Sequence, residues 1–133
     1  MTSARKAFGG RDGGAAVVEF VLVGTLVTLL FVALLQLGLA LYVRNTLLAS
    51  AAEGARYAGN ADRSPDDGAA VTRSIVRDTL SGRYAADVTA RTETVDGAVV
   101  DVVEIRATLP VIGLIGPGRL LVVRGHALEE GAP

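Results

Sequence analysis

The chain has 133 residues, half of them hydrophobic, and a formal net charge of −1 at pH 7. This length allows one small domain in addition to a membrane segment. The near-neutral charge and the absence of tryptophan argue against a nucleic-acid partner, because such surfaces need a basic patch or a stacking platform. The absence of cysteine excludes disulfides, thiolate metal sites and cysteine nucleophiles. We therefore expect no cofactor, no metal and no nucleic acid.

Residues 1–14 form a short basic leader, MTSARKAFGGRDGG. Arg5, Lys6 and Arg11 outweigh Asp12 in charge. The two Gly-Gly pairs disfavour a helix before Ala15. We expect this leader to lie in the cytoplasm, because basic residues before a span stay on the cytoplasmic side.

Residues 15–43 are predicted to form a single transmembrane helix. They read AAVVEFVLVGTLVTLLFVALLQLGLALYV, with Glu19 as the one charged residue. The part after Glu19 would make a helix of roughly 36 Å, enough to cross a hydrocarbon core of about 30 Å. The chain is therefore expected to cross a membrane once, with its remainder outside the cytoplasm.

Residues 44–59 predict an amphipathic continuation of the same helix, so that one helix covers residues 15–58. Its predicted apolar stripe consists of Leu48, Ala51, Ala52, Ala55 and Ala58.

Residues 60–133 are predicted to form a small extracytoplasmic α+β head at the end of the long helix. A second helix begins at Ser64-Pro65-Asp66-Asp67, where a hydroxyl cap precedes proline and two acids. It runs to about Leu80 and stops at Gly82. Its solvent-facing side is predicted to carry Arg73, Ser74, Arg77 and Asp78.

Three antiparallel strands are predicted over residues 87–95, 99–109 and 119–128. Asp96-Gly97 joins the first two as a two-residue hairpin. The second strand alternates, with Val103, Ile105, Ala107 and Leu109 on one face and Glu104, Arg106 and Thr108 on the other. The apolar loop before the third strand includes residues 111–115, VIGLI, for which burial under the sheet and a contact with a neighbouring subunit or the bilayer both remain open.

Glu19 needs an explanation, because a carboxylate one turn inside a membrane helix is costly unless it is paired. Cleavage after Gly14 would make Ala15 a cationic N-terminus one helical turn from Glu19. The carboxylate could then pair with its own amine or with that of a neighbouring helix. Such a pair inside an apolar bundle would fix the register between subunits.

The segment Gly14-Ala15-Ala16-Val17-Val18-Glu19-Phe20 resembles the processing site of type IV prepilins. The longer run to Gly59, with its Glu19-Phe20 pair and its block AEGARYA, resembles the TadE-like pseudopilins of tight-adherence (Flp-type) pilus systems. This resemblance covers residues 13–60 well. It implies a minor pilus subunit that is processed by a prepilin peptidase, assembles with other pilin and pseudopilin subunits, and serves adhesion or secretion. The head is short for this family.

Weaker features have simpler alternatives. Gly24 and Thr28 give a spacing suited to helix contact, although it occurs readily by chance in an apolar span. Glu53, Arg56 and Tyr57 are candidates for packing the helix against the head, with an ordinary surface ion pair as the simpler interpretation of the first two. His126, the single histidine, is interpreted as a strand residue.

Other functions compete with the pilin interpretation. The main alternative is an unprocessed single-pass anchor whose head binds an envelope partner. A secreted domain cleaved near Ala49-Ser50-Ala51 ranks lower, because the apolar core is much longer than that of a signal peptide. An enzyme is disfavoured, since no phosphate loop, metal motif or serine elbow is present.

Overall fold

The computed structural model describes residues 12–109 and 120–130. The chain is α+β, as predicted. It contains helix α1 (Asp12–Ala58), helix α2 (Pro65–Thr79), a short 3₁₀ helix (Gly82–Ala85) and strands β1 (Val88–Val95), β2 (Ala98–Thr108) and β3 (Leu120–Leu128). The 3₁₀ helix was not predicted. The predicted loop at residues 111–115 and the first residue of the predicted third strand lie outside the described residues.

The chain divides into two compact units, Met1–Leu37 and Gly38–Pro133. The described part of the first is purely helical. The second holds the end of α1, helix α2 and the sheet, and we call it the head unit.

Helix α1 begins at Asp12 and includes Gly13 and Gly14, so the predicted start at Ala15 is wrong by three residues. Each glycine costs about 1 kcal/mol in a helix, but extension from a long apolar helix adds one hydrogen bond per residue. Asp12 in the first turn also interacts favourably with the helix dipole.

The last turns of α1 bury one side in the head unit. The buried residues are Val43, Leu47, Ser50, Ala51, Gly54, Ala55 and Ala58. The predicted stripe is therefore correct at Ala51, Ala55 and Ala58 and wrong at Leu48, which is exposed while Leu47 is fully buried. The helix is turned slightly from the predicted phase, because its partners allow a close approach at Ala51 and Gly54.

Helices α1 and α2 cross closely at two glycines. A Cβ on Gly54 would overlap Thr72 Oγ1 and lie 2.7 Å from the Gly68 carbonyl oxygen, and a Cβ on Gly68 would lie 2.7 Å from the Ala58 Cβ. The buried Thr72 hydroxyl donates to the Gly68 carbonyl at 2.9 Å, so its polar atom is satisfied within α2. Small side chains thus set the distance between the helices.

Helix α2 starts where the sequence predicts. The Asp67 N–H donates to Ser64 Oγ at 3.3 Å, and the Ser64 N–H donates back to Asp67 Oδ2 at 2.9 Å, a reciprocal capping box. One predicted solvent-facing residue is placed differently: Arg73 is half-buried and donates to the Val88 carbonyl of β1 at 2.7 Å. A long side chain can cover apolar surface while its guanidinium reaches a strand edge.

The three strands form an antiparallel sheet in the order β1-β2-β3. Asp96 and Gly97 join β1 to β2 with φ of 52° and 83°, the left-handed pair that a tight hairpin of this type requires. Val95 pairs with Ala98 across this turn, and Glu104 pairs with Thr89 on one side and Arg124 on the other.

The inner face of the sheet packs on α1 and α2. Val103, Ile105 and Ala107 lie in this core as predicted, while Leu109 follows the end of β2 and packs against the core from outside the strand. On β3, Gly125 faces α1 so closely that a Cβ there would overlap the backbone of Ala51. Glu104 lies on the opposite face from Val103 and Ile105, as predicted, but it is only 2 % exposed.

Candidate functional site

The first part of α1 is apolar and buries nothing within the chain. Every residue from 12 to 35 is exposed. The most apolar window of 18 residues has a mean hydropathy of 2.6, so the helix is long and apolar enough to cross a membrane. Its exposed large side chains include Phe20, Leu22, Leu26, Leu30, Phe31 and Leu34. A surface of this size needs a cover of lipid or of other helices.

The Gly14–Ala15 bond, the predicted cleavage point, lies in the first turns of this helix. Both residues are exposed, and no side chain or backbone atom lies within 4 Å of the place where a Cβ on Gly14 would stand. Nothing in the described chain therefore shields this bond from an enzyme. Two adjacent glycines also make this turn the easiest part of α1 to unwind, because glycine has the least favourable helix propensity after proline.

Glu19 and Phe20 follow on the same exposed helix. Ala15 and Glu19 are four residues apart, which places them one turn apart on the same face. No ion pair or hydrogen bond engages the Glu19 side chain within the described residues. Phe20 is 78 % exposed. The helix thus presents a carboxylate and an aromatic ring side by side on a surface that is otherwise apolar.

Gly24 and Thr28 lie one turn apart in the middle of the apolar part. The Thr28 hydroxyl donates to the Gly24 carbonyl at 2.8 Å, and the Thr25 hydroxyl donates in the same way to Val21 at 2.7 Å. Both hydroxyls are therefore satisfied without water, as a lipid environment requires. The space around Gly24 is open within the chain.

Glu53, Arg56 and Tyr57 lie on the part of α1 in the head unit. Glu53 and Arg56 form an exposed ion pair at 3.4 Å, an arrangement that contributes little to stability. Tyr57 is half-buried, and the Arg63 guanidinium lies 4.8 Å from the centre of its ring.

A comparison with known protein families matches the same part of the chain. Residues 14–56 match the model of the family described as TadE-like protein. This segment is TadE-like. The family resemblance predicted from the sequence is confirmed over these residues. No curated protein and no solved structure matches the chain.

The matched segment runs from the predicted cleavage point through the apolar helix to the turns that pack in the head. The TadE-like family is a structural, pilus-associated family rather than a catalytic one. Together with the long apolar helix, it indicates a membrane-anchored protein.

A second polar site, outside the TadE-like segment, was missed by the sequence analysis. On the outer face of the sheet, the buried Glu104 accepts from Arg106 Nε at 2.7 Å through Oε1 and from Arg124 Nε at 2.6 Å through Oε2. Arg91 approaches the same carboxylate at 3.5 Å. The hydrogen bonds from Arg124 and Arg106 lower the pKa of Glu104 to about 2. We call Glu104 and these three arginines the arginine cluster.

The cluster joins all three strands, because Arg91 lies on β1, Glu104 and Arg106 on β2 and Arg124 on β3. A signal was present in the sequence: a glutamate in the middle of the central strand faces two arginines once the hairpin register is known. The register of β3 depends on the loop before it and could not be read from the sequence. Within residues 12–109 and 120–130, no group of histidine, cysteine or acidic residues is placed to hold a metal ion.

Proposed function

We propose that this chain is a minor pseudopilin of a tight-adherence type IV-like pilus, processed after Gly14 and assembled through its N-terminal helix. The observation that supports it most is the exposed apolar part of α1, which carries a single carboxylate one turn after Ala15. The TadE-like match over residues 14–56 covers the same surface.

The apolar side chains of α1 can be covered first in the membrane and then in a pilus. In the membrane, lipid covers them. In a pilus, the same side chains would be covered by the helices of other pilin and pseudopilin subunits, so the helix can leave the bilayer without exposing its surface to water. An unpaired charge costs about 2.5–3.5 kcal/mol at the middle of a membrane helix and less near its ends. Glu19 lies one turn after Ala15, so it still makes the helix a poorer anchor unless it is paired.

Cleavage would give Glu19 a partner. A prepilin peptidase acting after Gly14 would leave a cationic amine on Ala15. A neighbouring subunit in the correct axial position would place its own amine beside Glu19, and other positions would leave Glu19 without this partner from the next subunit. A buried pair of this kind selects register more than it adds stability.

The same proposal fixes the topology. The basic leader stays in the cytoplasm, the helix crosses the cytoplasmic membrane once, and the head lies outside. The partners are a prepilin peptidase and other pilus subunits.

The experiment is to replace Glu19 by glutamine and to measure the protein in the membrane and in sheared pili. We expect Glu19→Gln to remain in the membrane fraction and to fall in the pilus fraction by roughly tenfold, as the loss of a charge pair of more than 1 kcal/mol implies. Glu53→Gln is the matched control, because Glu53 lies on the same helix and pairs, among the described residues, only with the exposed Arg56. Pilus incorporation of Glu19→Gln equal to that of the control would refute the register role.

A further inference from the structure

The arginine cluster has more positive charge than it neutralises. Three arginines meet two glutamates there, Glu104 and the Glu93 that pairs with Arg91, so one positive charge remains. Glu104 engages the Nε atoms of Arg106 and Arg124. Their terminal nitrogens have no other partner in the described part of the chain.

These arginines are held in place and remain accessible. Their side chains are about half exposed, at 54 % for Arg106 and 53 % for Arg124, whereas the carboxylate that orients them is 2 % exposed. A fixed guanidinium loses less conformational entropy when it binds a second carboxylate. Leu120 and Val122 lie beside them in the same shallow pocket and are also exposed. The surface therefore suits a carboxylate that is accompanied by apolar or small residues.

The chain itself carries a segment of that chemistry at the start of α2. Asp62 and Asp66 are exposed and have no hydrogen bond or ion pair within the described residues. Asp67 uses its carboxylate in the capping box. The nearby Arg63 lies over the ring of Tyr57. Two carboxylates beside the half-buried Pro65 are thus available to a partner, and we call residues 62–66 the acidic corner.

The two surfaces lie on opposite sides of the head unit. Helix α2 packs on the inner face of the sheet, where its Ala69 and Val76 share the core with Ile105. The arginine cluster is on the outer face, because Glu104 alternates with Val103 and Ile105 along β2. One copy therefore cannot join its own two surfaces.

We propose that the acidic corner of one copy docks on the arginine cluster of a second copy. The contact is heterologous, with different surfaces on the two partners, so each copy keeps one surface free for the next. Such a contact can extend along a row of subunits. The proposal goes beyond the pseudopilin function and does not depend on it, because heads can meet in a membrane that contains no pilus.

The test uses cysteine crosslinking of the full-length chain in membranes without pilus machinery, which is direct because the chain has no cysteine of its own. Two tagged single-cysteine variants are co-expressed: Ala61→Cys, beside the acidic corner, and Val122→Cys, beside the arginine cluster. Both positions are exposed. We expect a disulfide between the two different variants and much less between identical ones. Pairing Val122→Cys with Ser74→Cys, an exposed position further along α2, is the matched control.

Removing charges distinguishes a specific contact between the two surfaces from random encounters between heads. We expect Asp62→Asn with Asp66→Asn to lower the mixed crosslink by roughly fivefold, as expected for exposed charge pairs, and added salt to lower it as well. Asp78→Asn, an exposed aspartate near the other end of α2, should leave it unchanged.

Three results would overturn the proposal. The mixed crosslink could be no stronger than the Ser74 control, or it could be insensitive to the aspartate changes. Alternatively, Val122→Cys could be shielded from a soluble thiol reagent only when anionic lipid is present, with no crosslink, which would assign the arginine cluster to the bilayer surface.

Discussion

Glu104 is the buried carboxylate at the centre of the arginine cluster. It is almost fully buried on the face of the sheet that carries charged side chains, and three arginines surround it. A buried carboxylate is tolerated only with such partners. Glu104 thus couples the three strands through their side chains as well as through the backbone.

The low pKa of Glu104 makes the stability of the head dependent on pH. Its folded pKa of about 2 lies below the ordinary glutamate pKa of 4.5, so the stabilisation is complete above about pH 4.5 and is lost as the pH falls towards 2. We expect the urea midpoint of the full-length protein, followed by tyrosine fluorescence in detergent, to fall across this interval. Glu104→Gln should lower the unfolding free energy at pH 7 by about 2 kcal/mol, and therefore the urea midpoint as well. It should also weaken the dependence of the midpoint on acid pH.

The control is Glu93→Gln, since Glu93 is half-buried and, among the described residues, pairs with Arg91 alone. It should keep both the midpoint and its pH dependence. A Glu104→Gln variant with the wild-type acid profile would show that another carboxylate controls acid unfolding.

At the scale of elements, glycines determine how α1 sits in the head unit. Helix α2 packs closely against Gly54, and helix α1 packs closely against Gly125 of β3. At both positions there is no room for a Cβ. Close backbone approach of this kind positions the buried side of α1 without large side chains.

We expect Gly125→Ala and Gly54→Ala each to lower the unfolding free energy by about 1–3 kcal/mol, as overpacking does. Gly125 should be the more sensitive position, because its Cβ would meet backbone atoms of Ala51 and Ala52 that cannot rotate away. Gly82→Ala is the control, since a Cβ there meets nothing within 4 Å. Equal unfolding midpoints for the three variants would contradict this packing.

The elements themselves were largely predictable from local patterns. The cap at Ser64, the hairpin at Asp96-Gly97 and the apolar run of α1 each depend on residues close in sequence, so each was located correctly. The burial of Leu47 in place of Leu48 and the pairing of Glu104 with Arg124 depend on contacts between distant segments. Single-sequence periodicity does not contain that information, because the phase of a helix and the register of a strand follow from their partners.

At the scale of the whole molecule, the first helix is long and apolar enough to cross a membrane, and residues 14–56 match the TadE-like family. The pilus role that we propose depends on one chemical event, the release of the amine of Ala15. Without it, Glu19 has no partner among the described residues, and the alternative of an unprocessed membrane anchor is favoured.

Gly14 is the residue where this event is most sensitive to substitution. We expect Gly14→Leu to block processing, because a bulky side chain would occupy the open position before the cleaved bond. Gel mobility of the membrane-extracted chain reports the result. Gly13→Leu is the matched neighbour and should be processed. If Gly14→Leu migrates at the same size as Gly13→Leu and the wild type, Gly14 is only a spacer.

The most direct measurement is the mature N-terminus, from the intact mass and the N-terminal peptide of membrane-extracted protein. The proposed function predicts a chain that begins at Ala15. A chain that begins at Met1 or Thr2 would contradict processing and leave a plain membrane anchor, and one that begins near Ala52 would identify a secreted domain.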